Sequence, residues 1–225
     1  MSDLASRVRA GLASLATPAA PAMQAYMKSS MPFRGVAKPA CVALLRGLAV
    51  QRCDNDALTA AAADLWDHAA YREERYVATA LARRLPPAAA RLTVHRDWIV
   101  TGAWWDHVDE IAPHLVGPVL RADPDAVAPV VRHWARQPDR WLRRTAIICQ
   151  LGSKERTDTE LLESAVESSA SDGDFFIRKA IGWALRQHAR TDPQWVLAFV
   201  DSHHELSHLS RHEALRHVGS QPPHG

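Results

Sequence analysis

Apolar residues recur at three- and four-residue steps along most of the chain, while strand-like alternation is short and isolated, so the pattern predicts an all-α protein. The predicted helices span 3–16, 38–52, 56–68, 72–85, 105–121, 124–136, 140–150, 157–169, 174–190, 193–201 and 211–218, with another near 93–101. Punctuation agrees with these bounds. Pro86-Pro87 stops one helix, Asp123-Pro124 and Asp192-Pro193 put proline at or near a first turn, and Pro138 separates two segments. Ser210 followed by Glu213 reads as a capping box that opens the last helix. Residues 18–35, rich in Pro, Met, Ser and Gly, predict a short helix plus a structured loop. Short breaks between helices predict antiparallel pairs stacked side by side, although no crisp sequence repeat is visible. One domain over 1–219 with a curved, concave face is expected, followed by a disordered tail at 220–225.

The faces of two helices separate core from surface. At about 100° per residue, Ala180, Ile181, Ala184 and His188 fall within about 60° of Ile177, an apolar seam. Lys179, Trp183, Arg186 and Arg190 cluster roughly 180–240° away, so Trp183 lies among three cations. Two environments suit such a tryptophan: a ligand surface, or the flank of a neighbouring helix. In the helix that begins Trp104-Trp105-Asp106-His107-Val108-Asp109, the core stripe is Trp104, Val108, Ile111 and Leu115. Trp105 and Asp109 lie one turn apart on the flank, and Asp106 lies farther round, in a solvated or capping position. An aromatic plane beside an ionised carboxylate suits a transient cation, and an ordinary surface ion pair would place Asp109 there too.

Charge sharpens this reading. The 225 residues carry a formal net charge of only +2, but it is unevenly spread. Residues 1–53 hold seven basic side chains against one acid and residues 132–156 hold seven against two, together +11, which leaves −9 for the rest. Segregation of this kind suits a face that meets phosphates, or arginine-rich helices that are merely solvated. The three cysteines (Cys41, Cys53, Cys149) form no CxxC pair, so buried or inert thiols are expected rather than a disulfide framework or a zinc site. His204, His208 and His212 have a metal-like spacing, but a helix opening at Ser210 would leave His208 outside it, and no metal is expected. Walker A, dinucleotide-loop, HExxH, GxSxG and zinc-deaminase motifs are absent. No secretory signal or bilayer-spanning stretch opens the chain, so a cytoplasmic protein that does not engage membranes is expected.

The chain resembles the AlkD family of DNA alkylation-repair glycosylases. The resemblance is carried by Tyr26-Met27-Lys28-Ser29, Phe33-Arg34-Gly35-Val36, the Trp104–Asp109 segment, Trp141-Leu142-Arg143-Arg144-Thr145-Ala146, Phe175–Arg186 and Leu209-Ser210. It implies HEAT-like repeats forming a curved superhelix whose concave basic face holds double-stranded DNA containing alkylated bases. It also implies removal of cationic N3- or N7-alkylated purines by hydrolysis of the N-glycosidic bond, without a cofactor. Matched residue by residue, the catalytic set would be Asp109, Trp105 and Trp183, with Arg144 on a phosphate. Arg186 would be a further backbone contact and Tyr26 an accessory residue near the lesion, while Lys179 and Arg190 complete the expected DNA-binding set. Ala37 departs from the polar glutamine that some members carry after the Gly-Val pair. The expected protein is a monomer, associated with the nucleoid when bound to DNA. The alternative is a helical-repeat DNA-binding or scaffold protein without catalysis.

Overall fold

The computed structural model describes residues 3–216 and 218. It is all-helical, with no strand among the described residues, as the periodicity predicts. The chain divides into two compact units, Met1–Pro86 and Pro87–Gly225, at the Pro86-Pro87 stop. The expected tail at 220–225 lies outside the described residues.

The first unit contains α1 (Leu4–Ser14), α2 (Ala20–Met27), α3 (Lys38–Gly47), α4 (Asn55–Asp67) and α5 (Arg72–Ala82). Leu4, Val8 and Leu12 of α1 and Leu58, Ala61, Leu65 and Trp66 of α4 are buried at helical spacing. Arg9 of α1 ties this layer together, donating to Asp64 of α4 at 2.6 Å and to Glu74 of α5 at 3.0 Å. The structured loop expected before residue 36 is held by a carboxylate. Glu73 is fully buried and accepts the backbone N–H groups of Arg34, Gly35 and Val36 at 2.9–3.0 Å. Gly35 is required in that loop: its φ is +81°, and a Cβ there would lie 2.5 Å from the Thr17 hydroxyl. The helix predicted over 38–52 stops at Gly47, Ala49 turns to φ 54°, and a short 3-10 turn covers Val50–Arg52.

The second unit opens with α6 (Leu92–Gly102), then α7 (Trp105–Ile111), a π-helical turn (Ala112–Val116) and α8 (Gly117–Ala122), which run on as one rod. Two prolines bracket the π turn, Pro113 inside it and Pro118 just after it, and Pro113 shows why the ladder gives way. It has no N–H to give the Asp109 carbonyl four residues back, and its ring would crowd that oxygen, so the winding loosens there. The remaining helices are α9 (Pro124–Trp134), α10 (Arg140–Ile148), α11 (Thr159–Glu167), α12 (Phe175–His188), α13 (Pro193–Ser202) and α14 (His208–Leu215). Asp123, Asp139, Asp158, Asp174 and Asp192 each cap the helix that follows, accepting N–H groups of its first turn. Asp123 and Asp158 are 35 residues apart, as are Asp139 and Asp174, so the caps mark a recurring two-helix unit. The last helix corrects a sequence expectation. Ser207 caps α14, not Ser210, which lies inside the helix, buried, and donates its hydroxyl to the Arg178 carbonyl of α12 at 3.0 Å. His208 and His212 therefore share α14 after all, with ring centroids 6.2 Å apart.

Candidate active site

α10 is the common neighbour of α7 and α12, both of which pack against it. Its amphipathic sequence buries Trp141, Leu142, Ile147 and Ile148, and the same register turns Arg144 inward, leaving its side chain 6% exposed. Arg144 joins the two neighbours. Its Nε and Nη2 donate to the two oxygens of Asp109 on α7 at 2.8 and 2.9 Å, and its Nη1 donates to the backbone carbonyl of Phe176 on α12. Planar, bidentate pairing is the strongest hold a guanidinium has on a carboxylate, and it fixes the plane in which Asp109 lies. Asp109 itself is 20% exposed, so one side of it reaches the surface.

Trp105 occupies the first turn of α7 and Asp109 follows one turn later; both are half-buried. The flank position predicted for this pair therefore holds. Asp106 corrects the same helical reading, because it is buried rather than solvated, as is His107 beside it. Trp104 precedes the helix with extended backbone (φ −155°, ψ 151°). It packs with Trp141 at 6.0 Å and Phe176 at 5.6 Å, and those two rings lie 5.1 Å apart. This aromatic cluster backs the carbonyl that Arg144 grips.

On α12 the predicted seam of Ile177, Ala180, Ile181, Ala184 and His188 is buried throughout, and Trp183 is half-buried on the other face. Lys179 and Arg186 are not bare cations. Both bind Glu213 of α14: Lys179 Nζ donates to Oε1 at 2.9 Å, and Arg186 Nη1 donates to Oε2. Hydrogen bonding from Lys179, reinforced by the charges of Lys179 and Arg186, holds the Glu213 carboxyl below its ordinary range. Arg190, one turn on, is exposed. Tyr26, in the first unit, is 77% exposed.

Much of the basic run at 132–156 is paired as well. Arg140 meets Asp174 at 2.7 Å, and Arg143 meets Asp172 at 3.0 Å while also donating to the Gln137 and Pro138 carbonyls. Exposed basic side chains in that stretch include Arg136, Lys154 and Arg156. Cys41 and Cys149 are buried free thiols, pushed up to about 12 by burial, and are chemically inert at neutral pH. Among the described residues, the side chains that come together as a possible metal-ligand set are Glu163, Glu167 and His203, none of which belongs to the candidate site. No described helix is long and apolar enough to cross a membrane.

Three participants escaped sequence reasoning. Glu213 reads in the sequence as a capping residue of its own helix, whereas it faces α12. The Phe176 carbonyl carries no side-chain signal. The partnership of Arg144 with Asp109 joins residues 35 apart, and only the 35-residue spacing of the helix caps hints at that register.

No curated protein matches the chain. A solved structure described as a predicted DNA alkylation repair enzyme from Enterococcus faecalis is similar to it, with a TM-score of 0.80 and 29% identity over 92% of this chain and 98% of the other. The family model described as DNA alkylation repair enzyme matches residues 8–218. With nearly the whole chain matched, this protein belongs to the DNA alkylation repair enzyme family, and DNA alkylation repair is its field of action.

Proposed function

We propose that the protein is a monofunctional DNA glycosylase that hydrolyses the N-glycosidic bond of cationic N3- or N7-alkylated purines in duplex DNA. The observation that carries the proposal is the Arg144 bridge, which locks Asp109 of the Trp105 helix and the backbone of the Trp183 helix to one guanidinium. An alkylated purine is already positively charged, so it leaves as a neutral base, taking the electrons of the C1′–N bond, and needs no acid to protonate it. The burden falls on the sugar, which develops oxocarbenium character as in other glycoside cleavage. Asp109, held in a fixed plane, stabilises that cation and orients the water whose oxygen bonds to C1′; the water's proton is lost to the carboxylate or to solvent. Each tryptophan face adds about 0.5–2 kcal/mol of cation–π attraction, and a preorganised carboxylate adds about 3–4 kcal/mol. The products are free base and an abasic strand that is not cut.

In this reading Arg144 is a positioning residue for Asp109 rather than a phosphate ligand, since its exposure is small and three of its nitrogens already donate into the protein. Lys179, Arg186 and Arg190 then meet the DNA backbone, with Tyr26 as an accessory contact. We propose further that the HEAT-like stack acts as one domain over 1–219 and as a monomer, in the compartment that holds the DNA. The chemistry as written calls on no metal or organic cofactor.

One observation favours a second reading. The same ion pair neutralises Asp109, which would suit a protein that recognises damaged duplex without cleaving it. Incubation with an N7-methylguanine duplex, scoring both free base and retained DNA, separates the two. Base release supports the glycosylase; retention without release supports the binding module.

A further inference from the structure

We infer that Glu213 is a positioning residue of this site: its stem is seated on Gly182, and its carboxylate gathers Lys179 and Arg186, the basic neighbours of Trp183 along α12, and halves the positive charge they present. The inference rests on the proposed DNA-processing reading of the Trp183 face.

Gly182 lies three residues after Lys179 and four before Arg186, so the three share one strip of α12. A side chain at 182 would collide with the stem of Glu213. A Cβ built there would lie 2.5 Å from the Glu213 Cβ and 3.1 Å from the Ser210 carbonyl oxygen. Glycine therefore lets α14 approach closely, and the Ser210 hydroxyl fastens that approach by donating to the Arg178 carbonyl. Glu213 is left only 8% exposed, so it has little freedom to leave its seat.

Each oxygen of the carboxylate takes one cation. Lys179 is bound to Oε1 and Arg186 to Oε2, although their Cα atoms are seven residues apart, about 10 Å along a helix. Two long, flexible side chains of like charge are thereby given fixed stations. Trp183 lies on the same face, four residues after Lys179 and three before Arg186, so both cations are its neighbours along the helix. One negative charge against two positive leaves the triad at +1. Loss of the carboxylate has two consequences of opposite sense. The strip becomes more attractive to any polyanion, while the basic neighbours of Trp183 lose their stations. A merely structural carboxylate would move binding and rate together.

The test is Glu213→Gln, with unmodified duplex for binding and N7-methylguanine duplex for single-turnover base release at saturating protein. The expected result is binding tighter than the parent's. Its salt slope should be steeper by about one, as for one added phosphate contact, with base release about tenfold slower. Glu213→Asp keeps the charge but draws it back by one methylene, and should restore the parental salt slope with only partial recovery of rate. Parental release by Glu213→Gln, or binding and rate falling together, overturns the inference. If Glu213→Gln does not fold, Glu213→Asp decides: slower release at parental affinity supports the inference, and parental release overturns it. If the parent itself releases no base, the glycosylase reading fails on its own and the binding arm judges Glu213. Tighter, more salt-dependent binding by Glu213→Gln then sustains the inference, and unchanged or weaker binding overturns it.

Discussion

Replacement of Arg144 by alanine should expose how much of the second unit depends on one guanidinium. The substitution removes two charge-assisted hydrogen bonds to Asp109, at 2.8 and 2.9 Å, and one to the Phe176 carbonyl. Breaking a buried pair by deleting one partner costs about 3–5 kcal/mol, because the other charge is left without compensation. Asp109 keeps 20% exposure, so water can rehydrate part of it and the lower end, about 3 kcal/mol, is expected. At about 2–4 °C per kcal/mol for a chain of this size, the midpoint should fall by roughly 6–12 °C. Seven of the eight tryptophans lie in the second unit, so tryptophan fluorescence during urea or thermal unfolding reports this unit directly. Asp109→Asn in the Arg144→Ala background should cost much less than it does alone, with a coupling of about 2 kcal/mol. Additivity within about 0.5 kcal/mol would refute the claim that Arg144 acts by holding Asp109.

Two further outcomes follow from buried polar groups. Glu73→Gln replaces a buried carboxylate that accepts three backbone N–H groups with an amide carbonyl. It should destabilise the first unit by about 2–3 kcal/mol, with earlier proteolysis within 29–37; unchanged stability would deny the carboxylate its anchoring role. His95 is pushed down to about 4 by burial and by the Arg91 charge. Its folded value lies below the unfolded 6.5, so its stability contribution is complete above pH 6.5 and is lost as pH falls toward 4. That loss is about 1.4 kcal/mol per pH unit, and His95→Phe should flatten the acid limb of an unfolding-against-pH profile over that window. A limb unchanged by the substitution would show that His95 is not buried neutral.

The helices and the α12 seam were legible in the sequence because each depends on periodicity within one element. Ile177, Ala180, Ile181, Ala184 and His188 are buried as spacing requires. Legibility failed where a partner comes from another helix. Counting charges along residues 132–156 suggested a bare basic run, yet Asp172, Asp174 and Asp109 answer Arg143, Arg140 and Arg144 across helix pairs. The same error hid Glu213, since serine and glutamate three apart form a capping pattern whether or not a helix starts there; Ser207, one turn earlier, takes the cap. A repeat was available in the aspartate caps at 123, 139, 158, 174 and 192, visible only once polar residues at helix starts are compared rather than apolar ones. The π turn after Asp109 was hidden because proline signals a helix start as readily as an interruption.

The proposal turns on whether Asp109 meets the sugar as its bond to the base breaks. Single-turnover release of N7-methylguanine by Asp109→Asn, with duplex retention measured on the same samples, tests this most directly. The account predicts a loss of at least about 10²-fold in release, the scale on which an electrostatic stabiliser acts, with retention within a few-fold of the parent. Release at the parental rate would contradict it.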